Sequence, residues 1–292
     1  MMKRRTLIAT SVVMLVVSSL ACICLACICP AFQPVRGSGH VVEKTYDVEG
    51  FDRVSLTNQS HLTIEYGDEE RLVVEAEDNL IPHLEVDVVD GRLRLRTRSQ
   101  VWLMPSEPIE FHLTVTELTA IDVAGSGNVE APVLEGGSAA ISVSGSGGAT
   151  VEGVRADDAE IHISGSGDVH VSGEIDVETL SLSVSGSGNA QLDEVEAEHL
   201  DVDLSSSGDL SIADGAVADQ TVSVSGSGAY QAADLASDRA EVHVSGSGTV
   251  TLRISEDLEA SVSGSGDVRY AGQPAVRSDT SGSGDVVGVG GE

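Results

Sequence analysis

Beyond residue 29 the chain contains no cysteine; all four, Cys22, Cys24, Cys27 and Cys29, crowd near its start. No disulfide framework can therefore staple residues 30–292, and a folded body must rest on burial and backbone hydrogen bonds. Aromatic residues make up only 3%, which leaves little surface for stacking on sugars or bases. Basic residues are scarce too: 16 Lys and Arg stand against 47 Asp and Glu, a formal charge of −31. Lys3, Arg4 and Arg5 precede the first apolar stretch, so the remainder carries 13 basic and 47 acidic residues, or −34. A surface of that sign repels nucleic acid and anionic lipid, so nucleic acid is not expected as a partner, and it favours solubility and loose association with cations.

Long hydrophobic runs are also missing, with one exception. Residues 6–29 carry no charge and are nearly all apolar, long enough to cross a bilayer of about 30 Å. With the basic residues before them they read as a signal peptide or as a transmembrane or lipoprotein anchor over residues 1–29, the basic end staying cytoplasmic. Leu20-Ala21-Cys22 and Leu25-Ala26-Cys27 resemble the end of a lipobox, which makes Cys22 and Cys27 candidates for lipidation, although Ser19 and Cys24 stand where an aliphatic residue is usual. Uncleaved anchor and lipoprotein both remain open. Either ties the rest of the chain to a membrane, outside the cytoplasm. The four cysteines lie in an apolar stretch without His or carboxylate, which does not suit a metal site. Residues 30–40, with Pro34 and Gly37-Ser38-Gly39, read as a tether.

What the chain has in abundance is one four-residue word. It occurs nine times between Ala124 and Gly284; seven copies read Ser-Gly-Ser-Gly, the first opens with Ala124, and Ser205 opens Ser-Ser-Ser-Gly. The copies start 20, 20, 21, 20, 20, 20, 18 and 18 residues apart. A fixed period near 20 implies one unit stacked on itself. One and three residues before each word the chain is apolar, as in Ile141 and Val143, Leu182 and Val184, Val222 and Val224; between them it is polar, as in Ser142, Ser183 and Ser223. Such period-two alternation marks a half-buried strand. It resumes after the word in Val169 and Val171, Leu210 and Ile212, Val250 and Leu252. Each unit thus supplies strand, Gly-Ser corner, strand and a variable return. The closing glycines, Gly127, Gly147, Gly167, Gly188, Gly208, Gly228, Gly248, Gly266 and Gly284, are assigned to structural turns, where backbones crowd or φ is positive. The expected fold is all-β, a parallel β-solenoid over residues 41–292, read as a right-handed β-helix because parallel crossovers are overwhelmingly right-handed. Three sheets per turn are expected, with two as the alternative.

The Gly-Ser-Gly-Asp/Asn-Val words, together with Asp52-Arg53-Val54-Ser55-Leu56 and the stretch from Asp267 to Pro274, resemble the putative auto-transporter adhesin, head GIN domain family. The resemblance covers residues 48–287. It implies a β-helix at the bacterial cell envelope and supplies no catalytic motif.

Residues 41–123 are strand-rich but lack the word. Asp90-Gly91 between two alternating runs is a strong hairpin signal. Pairing across it sets Val88 against Leu93, Asp87 against Arg94, Val86 against Leu95 and Glu85 against Arg96. Arg92, Arg94, Arg96 and Arg98 make a basic stripe in an acidic chain. Cross-strand pairing with Glu85 and Asp87 is the simpler use of it; contact with an anionic envelope polymer is the other.

The same residues carry little chemistry. No helix is expected after any word, which removes a phosphate loop, and no serine is set as in Gly-x-Ser-x-Gly. Asn128, Asp168, Asn189, Asp209, Asp267 and Asp285 come directly after words and would align on one edge; they are read as turn formers bonding local backbone rather than as calcium ligands. His162 and His170 flank one word and are expected near each other on the surface, as solvated positions. No catalytic residue, metal or cofactor is expected. The functional expectation is a non-enzymatic, extracytoplasmic surface, adhesion or ligand-binding module with an extracellular ligand or surface polymer as partner. A polysaccharide-acting β-helix enzyme and a self-assembling scaffold are the alternatives.

Overall fold

A strand whose Val, Leu and Ile point one way can bury them only against other strands, and twenty residues supply too few for a core of their own. The computed structural model describes residues 33–205 and 207–290, and it meets this need by stacking rungs into a β-solenoid. Ala190–Leu204 shows one rung. Ala190, Leu192, Val195, Leu200, Val202 and Leu204 are buried, and Ala197 packs against the same core. The alternation skips a beat after Leu192 and again after Ala197. Each skip bends the chain so that the next inward side chain faces the same core from a new side. With the word as the third corner, the rung has three sides.

Rungs lie in parallel register. Ile121, Ile141, Ile161, Leu182, Val202, Val222 and Val242 form one inward column, each at most 3% exposed. Burying one such side chain contributes about 1.5–3 kcal/mol, so the columns carry the fold. Tyr230 carries a polar hydroxyl into this interior. Its hydroxyl donates to Gln220 Oε1 at 3.0 Å, and Gln220 Nε2 donates to Ser237 Oγ, so the buried polar atoms satisfy one another. Burial pushes the Tyr230 hydroxyl pKa well above its usual value.

At the word corners the backbones come closest. Ser146 N and Gly147 N both donate to Gly125 O, at 3.0 and 3.1 Å, and Ser166 N and Gly167 N repeat the pattern on Gly145 O. A Cβ on Gly165 would fall 1.9 Å from Gly145 O, and one on Gly167 would fall 1.7 Å from Gly147 O. Among the words, positive φ is confined to Gly264 and Gly282. Crowding by the rung below, rather than left-handed backbone, is therefore what calls for glycine.

Differences in rung length are absorbed elsewhere. A one-residue shift falls between Val171 and Glu174, and the shortening of the last rungs begins between Ala232 and Ala236. Both lie just after the post-word strand, and the strand leading into each word keeps its register.

The first rung carries no word. Arg53–Leu56 and His61–Tyr66 pair in parallel with Ala120–Val123 and Asn128–Ala131, and Thr57-Asn58-Gln59-Ser60 turns the corner. Beneath it lie Arg92–Thr97 and Glu110–Val115. Spatial order thus differs from chain order: residues 92–115 form the layer below a rung that precedes them in sequence. Antiparallel strands close this end, Arg71–Glu77 on Glu110–Val115 and Val41–Tyr46 on Arg71–Glu77. The hairpin Leu84–Val89 with Arg92–Thr97 has the expected register, including Glu85 opposite Arg96 and Val88 opposite Leu93. Asp90 and Gly91 have φ of 53° and 73°, the values a two-residue type I′ turn needs. Part of the stretch read as a tether is a strand, since Gln33–Arg36 pairs in parallel with Val101–Met104. Pro34 can sit there because this two-stranded ribbon is all edge. Ile81–His83 is a 3-10 turn, the one helical element among the described residues.

The corner geometry separates two glycines by position. Gly167→Ala must push a carbonyl aside and should cost about 1–3 kcal/mol, whereas a Cβ on Gly137 would meet nothing closer than Asp157 Oδ2 at 3.8 Å. Urea denaturation should show a clear loss for Gly167→Ala and little change for Gly137→Ala; equal midpoints would remove the crowding argument.

Candidate functional site

Stacking turns each outward position into a row with a spacing of about 4.8 Å. The row just before the words runs Asp122, Ser142, His162, Ser183, Asp203, Ser223, His243 and Ser261. The row ends on Asp279, its three carboxylates stand four rungs apart, and Asp122 is held by Arg92 at 3.0 Å. His162 lies in this row, whereas His170 lies beyond the corner on the next side and meets Asp193 at 3.3 Å. The word Ser164–Gly167 stands between the two histidines along the chain.

The Asp and Asn residues after the words form a ladder. Asp168 Oδ1 accepts from Asn189 N at 2.8 Å and from Asn189 Nδ2 at 2.9 Å. Asn189 Oδ1 accepts from Asp209 N at 3.1 Å, and Asp209 Oδ1 from Ala229 N at 2.8 Å. Asn128 and Asp267 do the same for Gly148 and Asp285. The bonds run to the next rung, not to local backbone as the sequence suggests, because parallel register brings a free corner N–H above each side chain.

Three arginines of the basic stripe are engaged in ion pairs. Arg96 reaches Glu85 at 3.1 Å and Asp87 at 3.3 Å, Arg98 reaches Glu85 at 3.5 Å, and Arg92 pairs with Asp122. Farther along, Arg239 binds Asp219 in a fork, Nε to Oδ1 at 2.6 Å and Nη2 to Oδ2 at 3.0 Å. The guanidinium holds the Asp219 carboxyl below its usual range and is itself raised by the carboxylate. This pair edges a groove of about 560 Å³ that Thr221, Glu241, Glu259 and Arg277 also line.

Two clusters at the first rungs have no counterpart in the sequence pattern. Glu75 lies opposite Glu110 in antiparallel register, and with His112 they bring ligand atoms within 4.8 Å of one another, the one such group of three among the described residues. Only the cross-strand register joins them, which no local pattern announces. The second is Glu77, which has no exposed surface. Gly39 N donates to it at 2.6 Å, Ser106 N at 3.0 Å, and the Ser106 hydroxyl donates as well. The Ser106 hydroxyl is the main cause that lowers the Glu77 pKa; burial opposes it, and backbone N–H groups of Gly39, Ser106 and Glu107 add to the lowering.

The closing glycines of the words stack as one column, each carbonyl occupying the place of the next Cβ, as in Gly208 on Gly188, Gly248 on Gly228 and Gly284 on Gly266. Gly127 begins the column over Ser60 O. Cys22, Cys27 and the apolar stretch 6–29 lie outside the described residues. Among the described residues no helix is long and apolar enough to cross a membrane.

Two outcomes test the ladder and the buried carboxylate. Asp168→Ala leaves the corner N–H of Asn189 without its acceptor and should cost about 1 kcal/mol in urea denaturation, and chelating calcium should leave the parent midpoint in place; a large chelator effect would turn the ladder into a cation site. Because the folded Glu77 pKa is depressed, its contribution is complete above the unfolded carboxylate value and disappears as pH falls through the folded value. Protection factors for hydrogen exchange around Gly39 and Ser106, corrected for the intrinsic pH dependence, should fall on acidification, and Glu77→Gln should flatten that response; unchanged acid dependence in the variant would place the effect elsewhere.

Known proteins share this geometry. No curated protein matches the chain. A crystal structure described as a putative adhesin from Parabacteroides distasonis ATCC 8503 superposes with a TM-score of 0.66 at 22% identity, over 88% of this chain and 100% of that one. A putative adhesin from Parabacteroides merdae ATCC 43184 gives 0.66 at 19% identity, over 88% and 99%. A putative lipid binding protein from Parabacteroides distasonis ATCC 8503 gives 0.60 at 20%, over 88% and 100%. At these identities the likeness is one of fold. The family model described as putative auto-transporter adhesin, head GIN domain, matches residues 50–177 and again residues 159–274, and the chain belongs to that family.

Proposed function

We propose that the chain is a non-catalytic, extracytoplasmic binding module of the cell envelope, held to a membrane through residues 1–29 and presenting its solenoid to an extended polymer or another surface. The observation that carries this reading is the repetition of the outward rows. Hydroxyl, carboxylate and imidazole groups recur rung after rung in parallel register, so one surface motif is offered many times along an axis. A periodic ligand can engage such a surface at several points, which multiplies weak contacts into useful avidity. Catalysis instead needs one constellation with a base, an acid or a nucleophile held together. The rows here are spread out, and Asp122, Asp219, Asp168 and Asp209 are engaged by Arg92, Arg239 and corner N–H groups. Family membership supports a surface role.

Two measurements test the reading. The full-length protein should fractionate with membranes and be cut by protease added outside intact cells, and recovery in the cytosol would refute it. On an array of glycans and envelope polymers, binding should rise with chain length for a polymeric ligand. Depolymerisation of a bound polysaccharide would move the protein to the enzyme class.

A further inference from the structure

The chain has a single tryptophan, and it faces solvent: Trp102 is 63% exposed, and Met104 is 45% exposed. Both stand on Val101–Met104, which pairs in parallel with Gln33–Arg36 so that Pro34 lies beside Trp102 and Arg36 beside Met104. Neighbours in register share a face. Pro34, Trp102, Arg36 and Met104 therefore make one outward patch. The ribbon is fixed from behind: Leu103 is buried, its carbonyl accepts from Gln59 Nε2 at 3.0 Å, and Gly37 N donates to Met104 O at 3.0 Å. The packing thus turns an indole and a thioether outward on a held strand in a chain poor in aromatic residues.

Connectivity says what lies close to this patch. Gln33 stands four residues after Cys29, the end of the uncharged apolar stretch, and four residues span at most about 14 Å when extended. Charge points the same way. Residues 79–106 hold Arg92, Arg94, Arg96 and Arg98 against Glu85, Asp87 and Asp90, a balance of 4 − 3 = +1 in a chain of −31. Repulsion from anionic headgroups is thus smaller over this stretch than over the chain as a whole.

We infer that this ribbon rests on the lipid surface from which the chain emerges, with Trp102 and Met104 at the boundary of headgroups and acyl chains and Arg36 beside the phosphates. Indole suits that boundary because it is apolar with one N–H donor, and an arginine stem can lie along apolar surface while its head stays wet. The inference rests on the membrane tether proposed above. It adds an orientation, with the first rungs at the membrane and the word-bearing rungs leading away from it.

Trp102 is its own probe. The full-length protein is placed in phosphatidylcholine–phosphatidylglycerol vesicles carrying lipids brominated near the headgroup or deep in the chains. Flotation reads the tether, and tryptophan emission reads the contact. The expected result is co-flotation, emission shifted to the blue of the urea-unfolded protein, and stronger quenching by shallow than by deep bromines. Arg36→Glu combined with Met104→Glu should abolish that quenching while flotation and the urea midpoint stay as in the parent. Co-flotation with emission open to aqueous iodide and blind to both brominated lipids overturns the inference and leaves the tether standing. Shielding from iodide without bromine quenching puts protein on the patch and overturns it too. Failure to float removes the tether and the inference together.

Discussion

Among the glycines of the described residues the tightest place is at Gly167, where a Cβ would fall 1.7 Å from Gly147 O. Nearly everything else depends on keeping that contact open. Because the carbonyl below accepts from two corner N–H groups, as Gly125 O does from Ser146 and Gly147, the corner sets the vertical register of each rung. Register then places Ile on Ile and Val on Val in the strand that leads into the corner. Parts of the rung that do not approach so closely vary in length, and the extra residue near Ser172 and Gly173 is absorbed without disturbing the next word.

The acidic exterior is partly structural. A carboxylate in the ladder after the words accepts an N–H from the rung above. Stacked carboxylates would repel, and the order of residues eases this: Asn189 stands between Asp168 and Asp209, and its amide donates to Asp168 while its oxygen accepts from Asp209 N. Elsewhere the acids meet the few cations, as Asp219 meets Arg239 and Glu85 meets Arg96. A surface of this kind offers donors and acceptors in rows and few large apolar contacts, which agrees with a role in presenting repeated weak sites.

Much of this was legible in the residues. The 20-residue period and the alternation around each word name the inward columns, and Asp90-Gly91 names the hairpin register. The rung Arg53–Tyr66 escaped because its corner, Thr57-Asn58-Gln59-Ser60, has no copy of the word beneath it and so does not need glycine. The ribbon at Gln33–Arg36 escaped because Pro34 and the nearby glycines read as tether chemistry, while its partner strand lies far along the chain. Glu75, Glu110 and His112 meet through antiparallel register, and Gln220 meets Tyr230 across a rung. Contacts between distant strands leave no local periodic signal, and these sites all depend on them.

The placement of residues 92–115 beneath an earlier rung bears on how the chain can be assembled as it is made or exported. In the word-bearing body a residue meets its partner about one rung later, as Ile141 meets Ile161. Val54 waits for Leu93 on one side and Ile121 on the other, and Leu62 waits for Phe111. The first rung to emerge is therefore the last of its neighbourhood to be sandwiched, and it stays one-sided until both later layers have been delivered. Contacts so far apart in sequence close slowly compared with the rung-by-rung ladder of the later repeats. The segment nearest the start of the chain spends longest as an open edge, and the repeats growing from Ala120 onward supply the template that closes it.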